Sequence, residues 1–520
     1  MADSVALGEL FNQQRPARRG EKTYGKKKSA MSQLRAVHLD LFGGGHENMA
    51  LEKLAELTLD DPKADAVEKK TAAESVPAPE KKSKTELNPR FRGRRKVHAS
   101  KKIAKLTQEK VESLGPLLSL IKGQVQDFHE FGRSIGKRYD CTKLGEGAFA
   151  DVFKLKAKTS EEAVELNRYG GLVIKVIPFN VENDAKDEIA DLESVTREVR
   201  VLQALDPLHG FARCRGVHVV SGKYPDVLSE AFSLYKTTDP HEAINPDPTS
   251  NLPPEQLYVV IEMNDAGCPL SKLPSMSAFQ AFDSFWTSAM ILSMAEHKLE
   301  FEHRDLHNGN ICFKPRDVET RYDVAQKLVE DMKEVPEVTL GLSNLAITII
   351  DYTLARARIS DGECDIVVFD PIVFWDANDA QGESKSDAKQ YDTYRKVRDW
   401  AKRIEEESEI EAQSGGTKNQ TVDKYSRFLP KSNVMWLGYL VTDLLSRRSE
   451  GRGACVQGSS RAAKKLQLNM WKTLEAVDAY INKTPAAQLP QSTDELLSVA
   501  VEQRWLTPAD IEAFSTQLET

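Results

Sequence analysis

Hydrophobic and polar residues change their rhythm near residue 110. Before that point apolar positions are sparse, follow no sustained period and sit among many Lys, Arg, Glu and Ser residues. Such a stretch buries too little apolar surface to offset the entropy of ordering it. Residues 1–110 are therefore expected to form a long disordered tail, with local helix at most around Ala50–Leu57. From about Leu106 onward the pattern is that of a folded domain. Apolar runs predict strands at Tyr139–Leu144, Ala150–Lys156 and Leu172–Pro178, a helix over Ile189–Leu205, and further strands at Val217–Val220 and Tyr258–Met263. Beyond Gly267 the period becomes helical. Phe279, Phe282, Trp286 and Met290 fall at steps of three and four, so they line one helix face as core. The proline- and acid-containing stretch Lys236–Gln256 reads as a surface loop between strands. Strands first and helices afterwards predict an α+β fold of two lobes, β-rich over 111–265 and helical over 266–520, not an alternating βαβ sheet.

Composition adds a compartment and hides a patch. The six cysteines are scattered singly with no Cys-x-x-Cys pair, which argues against a zinc knuckle or a disulfide scaffold and for a reducing environment. No apolar run approaches bilayer length and no apolar signal core opens the chain, so a soluble, intracellular protein without membrane contact is expected. The net charge of −8 averages away a cationic block between Lys81 and Lys105, where eleven Lys and Arg residues face the single acid Glu86. Clustered cations attract polyanions, so the block is either a nuclear-import or phosphate-contacting segment or a solvated unstructured run. A smaller stretch, Lys22–Lys28, is either a docking peptide or spacer.

Four motifs carry chemistry. In Leu144-Gly145-Glu146-Gly147-Ala148-Phe149-Ala150-Asp151-Val152, two glycines one residue apart let backbone amides approach a polyphosphate, although Gly-x-Gly also occurs in plain hairpin turns. In Val173-Ile174-Lys175-Val176-Ile177, a lysine embedded in an apolar run needs a counter-charge unless its head reaches water. Nucleotide phosphate plus a helix carboxylate would supply it, with Glu198 preferred and Glu193 as the alternative. The third motif, Glu302-His303-Arg304-Asp305-Leu306-His307-Asn308-Gly309-Asn310, decides the reading. Phosphoryl transfer to a hydroxyl needs a carboxylate to take the proton and an oxygen ligand for a metal ion, and Asp305 and Asn310 provide both. Fourth, the apolar strand Ala346–Ile350 ends at Asp351, where Mg²⁺ bridging ATP phosphates would need an oxygen ligand. All four stand in the order that one mechanism requires.

With these residues in view, the chain resembles the haspin family of atypical protein kinases over roughly residues 135–480. The resemblance rests on Asp351-Tyr352-Thr353 where most kinases have Asp-Phe-Gly, and on His307 in the His-Arg-Asp loop. Supporting stretches are Gly216–Pro225, Tyr391-Asp392-Thr393-Tyr394-Arg395 and Asn433–Leu437. No Ala-Pro-Glu follows Asp351. The resemblance implies a bilobal protein-kinase-like fold and a serine/threonine kinase that works without activation-loop phosphorylation. Met263 would be the gatekeeper, with Asn264, Asp265 and Gly267 along the adenine-binding hinge. It further implies transfer to a threonine near the start of the histone H-three tail in mitotic chromatin, hence a nuclear, chromosomal protein. His307, Asp370, Asp376 and Asp379, with Glu383 and Asp387, would then face the basic peptide. The tail is expected to carry any docking partners and the chain to act as a monomer. Three other readings stay open: an inactive kinase-fold scaffold on chromatin, an active kinase with a non-histone substrate, and a small-molecule phosphotransferase.

Overall fold

Strand alternation sorts the side chains of the first half onto the two faces of one sheet, and helices cover both faces. A computed structural model describes residues 108–519 apart from 148–149, 169, 182–188, 241–242, 250–251, 317–331, 361–364, 370–384, 414–424 and 449–459. The expected tail helix, the 22–28 peptide and the cationic block lie outside the described residues. Helices α1 (Gln108–Ser113) and α2 (Gly115–Leu120) lead into strand β1 (Gln126–Asp127) and helix α3 (Phe128–Arg138). A hairpin of β2 (Tyr139–Glu146) and β3 (Asp151–Ala157) precedes α4 (Ser160–Arg168) and β4 (Leu172–Asn180). Then come β5 (Ala190–Asp191), α5 (Leu192–Leu205), β6 (Cys214–Ser221), α6 (Asp226–Thr238) and β7 (Leu257–Met263). The strand order is β1-β6-β7-β4-β3-β2, with β5 added parallel to the end of β4.

Position within β4 decides which side each residue serves. Leu172, Ile174 and Val176 pack with Phe128 and Ile135 of α3 and Leu228 of α6. Ile177 and Phe179 face the other way, onto Val195, Val199 and Leu202 of α5. Lys175 shares the parity of Ile177, so the period of two alone turns it toward α5.

Two local expectations need correction, and two helices come in addition. Helices α3 and α6 were not foreseen. Gly132 lets α3 approach α6 closely, since a Cβ there would lie 2.1 Å from the Pro225 Cβ. Helix α5 starts at Leu192, not Ile189, since Asp191 caps it by accepting from Ser194 N at 2.7 Å. The stretch 236–256 is no simple surface loop either: its first residues complete α6, and Asn245 and Gln256 are buried.

The second half is mainly helical. Strand β8 (Cys268–Pro269) joins β9 (Ile311–Pro315) and β10 (Leu345–Ile349) in a sheet of order β10-β9-β8, and β11 (Ala357–Ser360) pairs with β12 (Asp365–Val368). Helix α7 (Ala278–Leu299) opens with a capping box between Ser277 and Gln280. Its Phe279–Phe282–Trp286–Met290 stripe is buried as expected, and Phe285, Ala289 and Leu292 bury its other faces too. Around it pack α8 (Lys385–Gln413), α9 (Lys431–Ser446), α10 (Arg461–Lys483), α11 (Thr493–Glu502) and α12 (Pro508–Glu519). The result is the expected α+β, protein-kinase-like arrangement. Among the described residues no helix is long and apolar enough to cross a membrane.

Candidate active site

Burying Lys175 requires counter-charge, and the structure provides it twice. Its Nζ lies 2.6 Å from Glu198 Oε1 and 3.5 Å from Asp351 Oδ1. Burial works against the ammonium, but Asp351 and Glu198 outweigh it and raise the lysine above its ordinary range. Burial likewise opposes ionisation of Asp351, yet Lys175 and the Thr353 hydroxyl hold its carboxyl well below the usual range. Glu193, the alternative partner, is instead 81% exposed and paired with Arg197. Thr353 Oγ1 stands 2.7 Å from Asp351 Oδ1 and 3.2 Å from Glu198 Oε2, linking the two acids. Asp351 adopts φ +66°, a backbone conformation uncommon for a non-glycine residue and held here by its surroundings.

The loop carrying Asp305 is fixed from below. Glu302 and Arg356 exchange backbone hydrogen bonds, and the buried Asn433 of α9 accepts from His303 N and donates to Glu296 and the Phe301 carbonyl. Burial pushes the Glu296 carboxyl up to about 8. His303 accepts from Asp305 N at Nδ1, so its Nε2 carries the hydrogen facing the Ile350 carbonyl at 3.1 Å. Burial holds this imidazole below its usual range, and hence neutral. Asn310 Nδ2 donates to Asp305 O at 2.8 Å and Oδ2 at 3.3 Å, leaving its amide oxygen for another ligand. The Asn310 carbonyl accepts from Ile350 N, which sets Asn310 beside Asp351. His307 accepts from Gly309 N at Nδ1 and presents Nε2 to Asp305 Oδ2 at 3.7 Å. Tyr394 of α8 donates its phenol hydrogen to Asp305 Oδ1.

The glycine loop and the hinge are placed less simply than the sequence implied. Gly147 N bonds Ala150 O at 2.8 Å, closing the turn whose tip, Ala148 and Phe149, lies outside the described residues. The Glu146 side chain is buried, with Oε1 on Lys143 and Oε2 on the N–H groups of Ile244 and Asn245, so this residue has only its backbone to offer a nucleotide. Ala150 is likewise in the core, whereas Gly145 and Val152 pair across the β2–β3 hairpin. Met263 ends β7 and packs against the core. The side chains of Asn264 and Asp265 already have protein partners: Arg215 donates to the first and Lys154 pairs with the second at 2.7 Å. Gly267 has φ +94°, and a Cβ there would lie 2.2 Å from the Phe313 carbonyl oxygen, so only glycine fits.

Asp370, Asp376, Asp379 and Glu383 lie outside the described residues, as does the side chain of Asp387. Sequence reasoning gave no role to Thr353, Tyr394 or the Lys143–Asp151–Asn245 cluster. The first two stand in stretches that carried the family resemblance, which was their only signal.

A family model described as a haspin-like kinase domain matches residues 65–496. Over 350 residues the chain is 29% identical to the serine/threonine-protein kinase haspin homolog hrk1 of Schizosaccharomyces pombe, covering 65% of this chain and 62% of that one. Similarity to mouse serine/threonine-protein kinase haspin is 28% over 337 residues, or 64% and 38% of the two chains. The Drosophila melanogaster homolog is 26% identical over 318 residues, or 59% and 49%. The chain thus spans less than two thirds of the length of each of these relatives. The matched stretch takes in the lysine strand, the His-Arg-Asp loop and the Asp-Tyr-Thr strand end, and the chain belongs to the haspin-like protein kinase family.

Proposed function

We propose that this chain is an ATP-dependent serine/threonine protein kinase. The observation that carries the reading is one connected set of contacts: Glu198–Lys175–Asp351, with Thr353 bridging the acids, and Asn310 joining Asp351's strand end to Asp305. Lys175 would hold the α- and β-phosphates of ATP, positioned by Glu198. Asp351, kept ionised, and the spare amide oxygen of Asn310 are hard oxygen donors that fit Mg²⁺. When bound, Mg²⁺ neutralises charge on the β- and γ-phosphates. Asp305 orients the substrate hydroxyl and takes its proton, while the β2–β3 turn covers the phosphates and excludes water.

The substrate we propose is a threonine near the start of the histone H-three tail, on mitotic chromosomes in the nucleus. Support comes from the Asp-Tyr-Thr and His307 resemblance and from the cationic block at 81–105, which suits a chromatin setting. Asp370, Asp376, Asp379 and His307 are the proposed peptide contacts. The first 110 residues are proposed to dock partners, and the chain to work as a monomer. The test is transfer of radiolabelled phosphate from Mg·ATP to a histone H-three tail peptide, with the threonine replaced by alanine as control. Lys175→Ala, Asp305→Asn and Asp351→Asn are each expected to lose most turnover while the fold stays intact. Near-normal labelling by Asp305→Asn would refute the assigned base; labelling of other peptides only would refute the histone substrate.

A further inference from the structure

Asp305 is gripped from two directions. Its Oδ2 meets groups of its own loop at long range, Asn310 Nδ2 at 3.3 Å and His307 Nε2 at 3.7 Å. Its Oδ1 accepts from Tyr394, which arrives on α8 from 89 residues further along the chain. A third group sets the direction of that bond. Gln390, one turn earlier on α8, donates Nε2–H to Tyr394 Oη at 3.1 Å, so the phenol's single hydrogen points to Asp305. The ring itself is locked. Tyr394 is 3% exposed and packs edge-on against Trp436 of α9, with centroids 5.0 Å apart.

We propose that Tyr394 is a positioning residue for the general base, holding the plane of the Asp305 carboxylate toward the substrate hydroxyl; this rests on the kinase reading above. A carboxylate can turn about two side-chain torsions, and the long contacts on Oδ2 constrain it weakly. A charge-assisted bond to Oδ1 from a rigid ring removes that freedom. A carboxylate offers about four lone-pair positions, so the phenol leaves a place for the substrate hydroxyl. In the step served, the substrate O–H bond breaks and its proton passes to Asp305. The oxygen bonds the γ-phosphorus as the bond from that phosphorus to the bridging oxygen breaks, and ADP leaves. Burial and the neighbouring Asp305 carboxylate hold the phenol of Tyr394 well above its usual range, so it stays a donor throughout. A plug over the base would have to swing out for substrate to enter, and the packing against Trp436 opposes that.

Tyr394→Phe removes the hydroxyl and keeps the ring. Measured beside wild type and Asp305→Asn with Mg·ATP and a threonine peptide, it should lower kcat roughly ten- to a hundredfold, as misplacement of a reacting group does. KM for ATP and peptide should stay near wild type, as should the unfolding midpoint. Gln390→Met, which frees the phenol to turn, should lower kcat in the same direction by less, and it carries the test if Tyr394→Phe does not fold. Turnover by these variants equal to or above wild type, or a loss seen in KM instead of kcat, overturns the inference while leaving an active wild type as a kinase. A wild-type chain without phosphoryl transfer overturns both readings together.

Discussion

Thr353 Oγ1 lies between two carboxylates, those of Asp351 and Glu198, and the Lys175 ammonium contacts both acids as well. A hydroxyl has one hydrogen, so it relieves one acid at a time and keeps helix α5 and the Asp351 strand end in register through a single small group. Thr353→Val keeps the shape and deletes the donor. A hydrogen bond to a charged group contributes about 1.5–3 kcal/mol, so kcat should fall about tenfold or more, with Thr353→Ser restoring most of it. Steady-state rates at saturating ATP decide this, and an unchanged Val variant would remove Thr353 from the site. At this scale Lys175, Asp305, Asn310 and Asp351 were singled out because phosphoryl transfer demands those residue types in that order, and the structure brings them into one set of contacts. Glu198 was readable against Glu193 from the apolar neighbours that put it on the buried side of α5. Thr353 and Tyr394 carried no role, since a hydroxyl declares nothing until its neighbours in space are known.

Among elements, the β2–β3 hairpin is held by a buried polar cluster at the base of its turn. Lys143 is buried with Glu146 at 2.6 Å and Asp151 at 2.7 Å, and its ammonium sits 3.8 Å from the Phe232 ring centroid on α6. Asn245 closes the cluster by donating to Ala150 O at 3.1 Å and Asp151 Oδ1 at 3.0 Å. A half-satisfied buried polar network is worse than a complete one, so the segment around Ile244 and Asn245 and the hairpin stabilise each other. Asn245→Ala should cost about 1–3 kcal/mol in thermal or urea unfolding. If the hairpin covers the phosphates as proposed, the substitution should also raise KM for ATP more than it lowers kcat, since the hairpin would take no part in proton transfer. A variant as stable as wild type, with unchanged KM, would show that the cluster does not hold the loop. Prolines and acids marked this stretch as surface. Asn245 Nδ2 reaches an aspartate 94 positions earlier, a distance along the chain that local pattern does not cover.

Across the whole molecule, the His-Arg-Asp arginine is already spent. Arg304 is 1% exposed, bonded through Nε and NH2 to Glu302 and through NH2 to the Tyr425 carbonyl, and Glu302 also accepts from Leu429 N and Ser432 Oγ. An added phosphate elsewhere on the chain would have to break this buried set to reach the guanidinium, which is costly. Phosphatase-treated protein should therefore retain wild-type turnover in the peptide assay; loss of activity that returns on rephosphorylation would contradict the expectation. By itself the sequence determined the α+β class and the strands β2, β3, β4, β6 and β7 to within a few residues, and it singled out Lys175, Glu198, Asp305, Asn310 and Asp351, which the structure brings together. Periods of two and near 3.6, and the chemistry of phosphoryl transfer, are local properties of residue types. Tertiary structure alone decided that helices α3 and α6 cover the outer face of the sheet and that Glu146, Asn264 and Asp265 bond to Lys143, Arg215 and Lys154. It also decided that Tyr394 meets Asp305. Each of these depends on groups brought together from far apart in the chain, where packing and the need to partner buried polar atoms outweigh local preference.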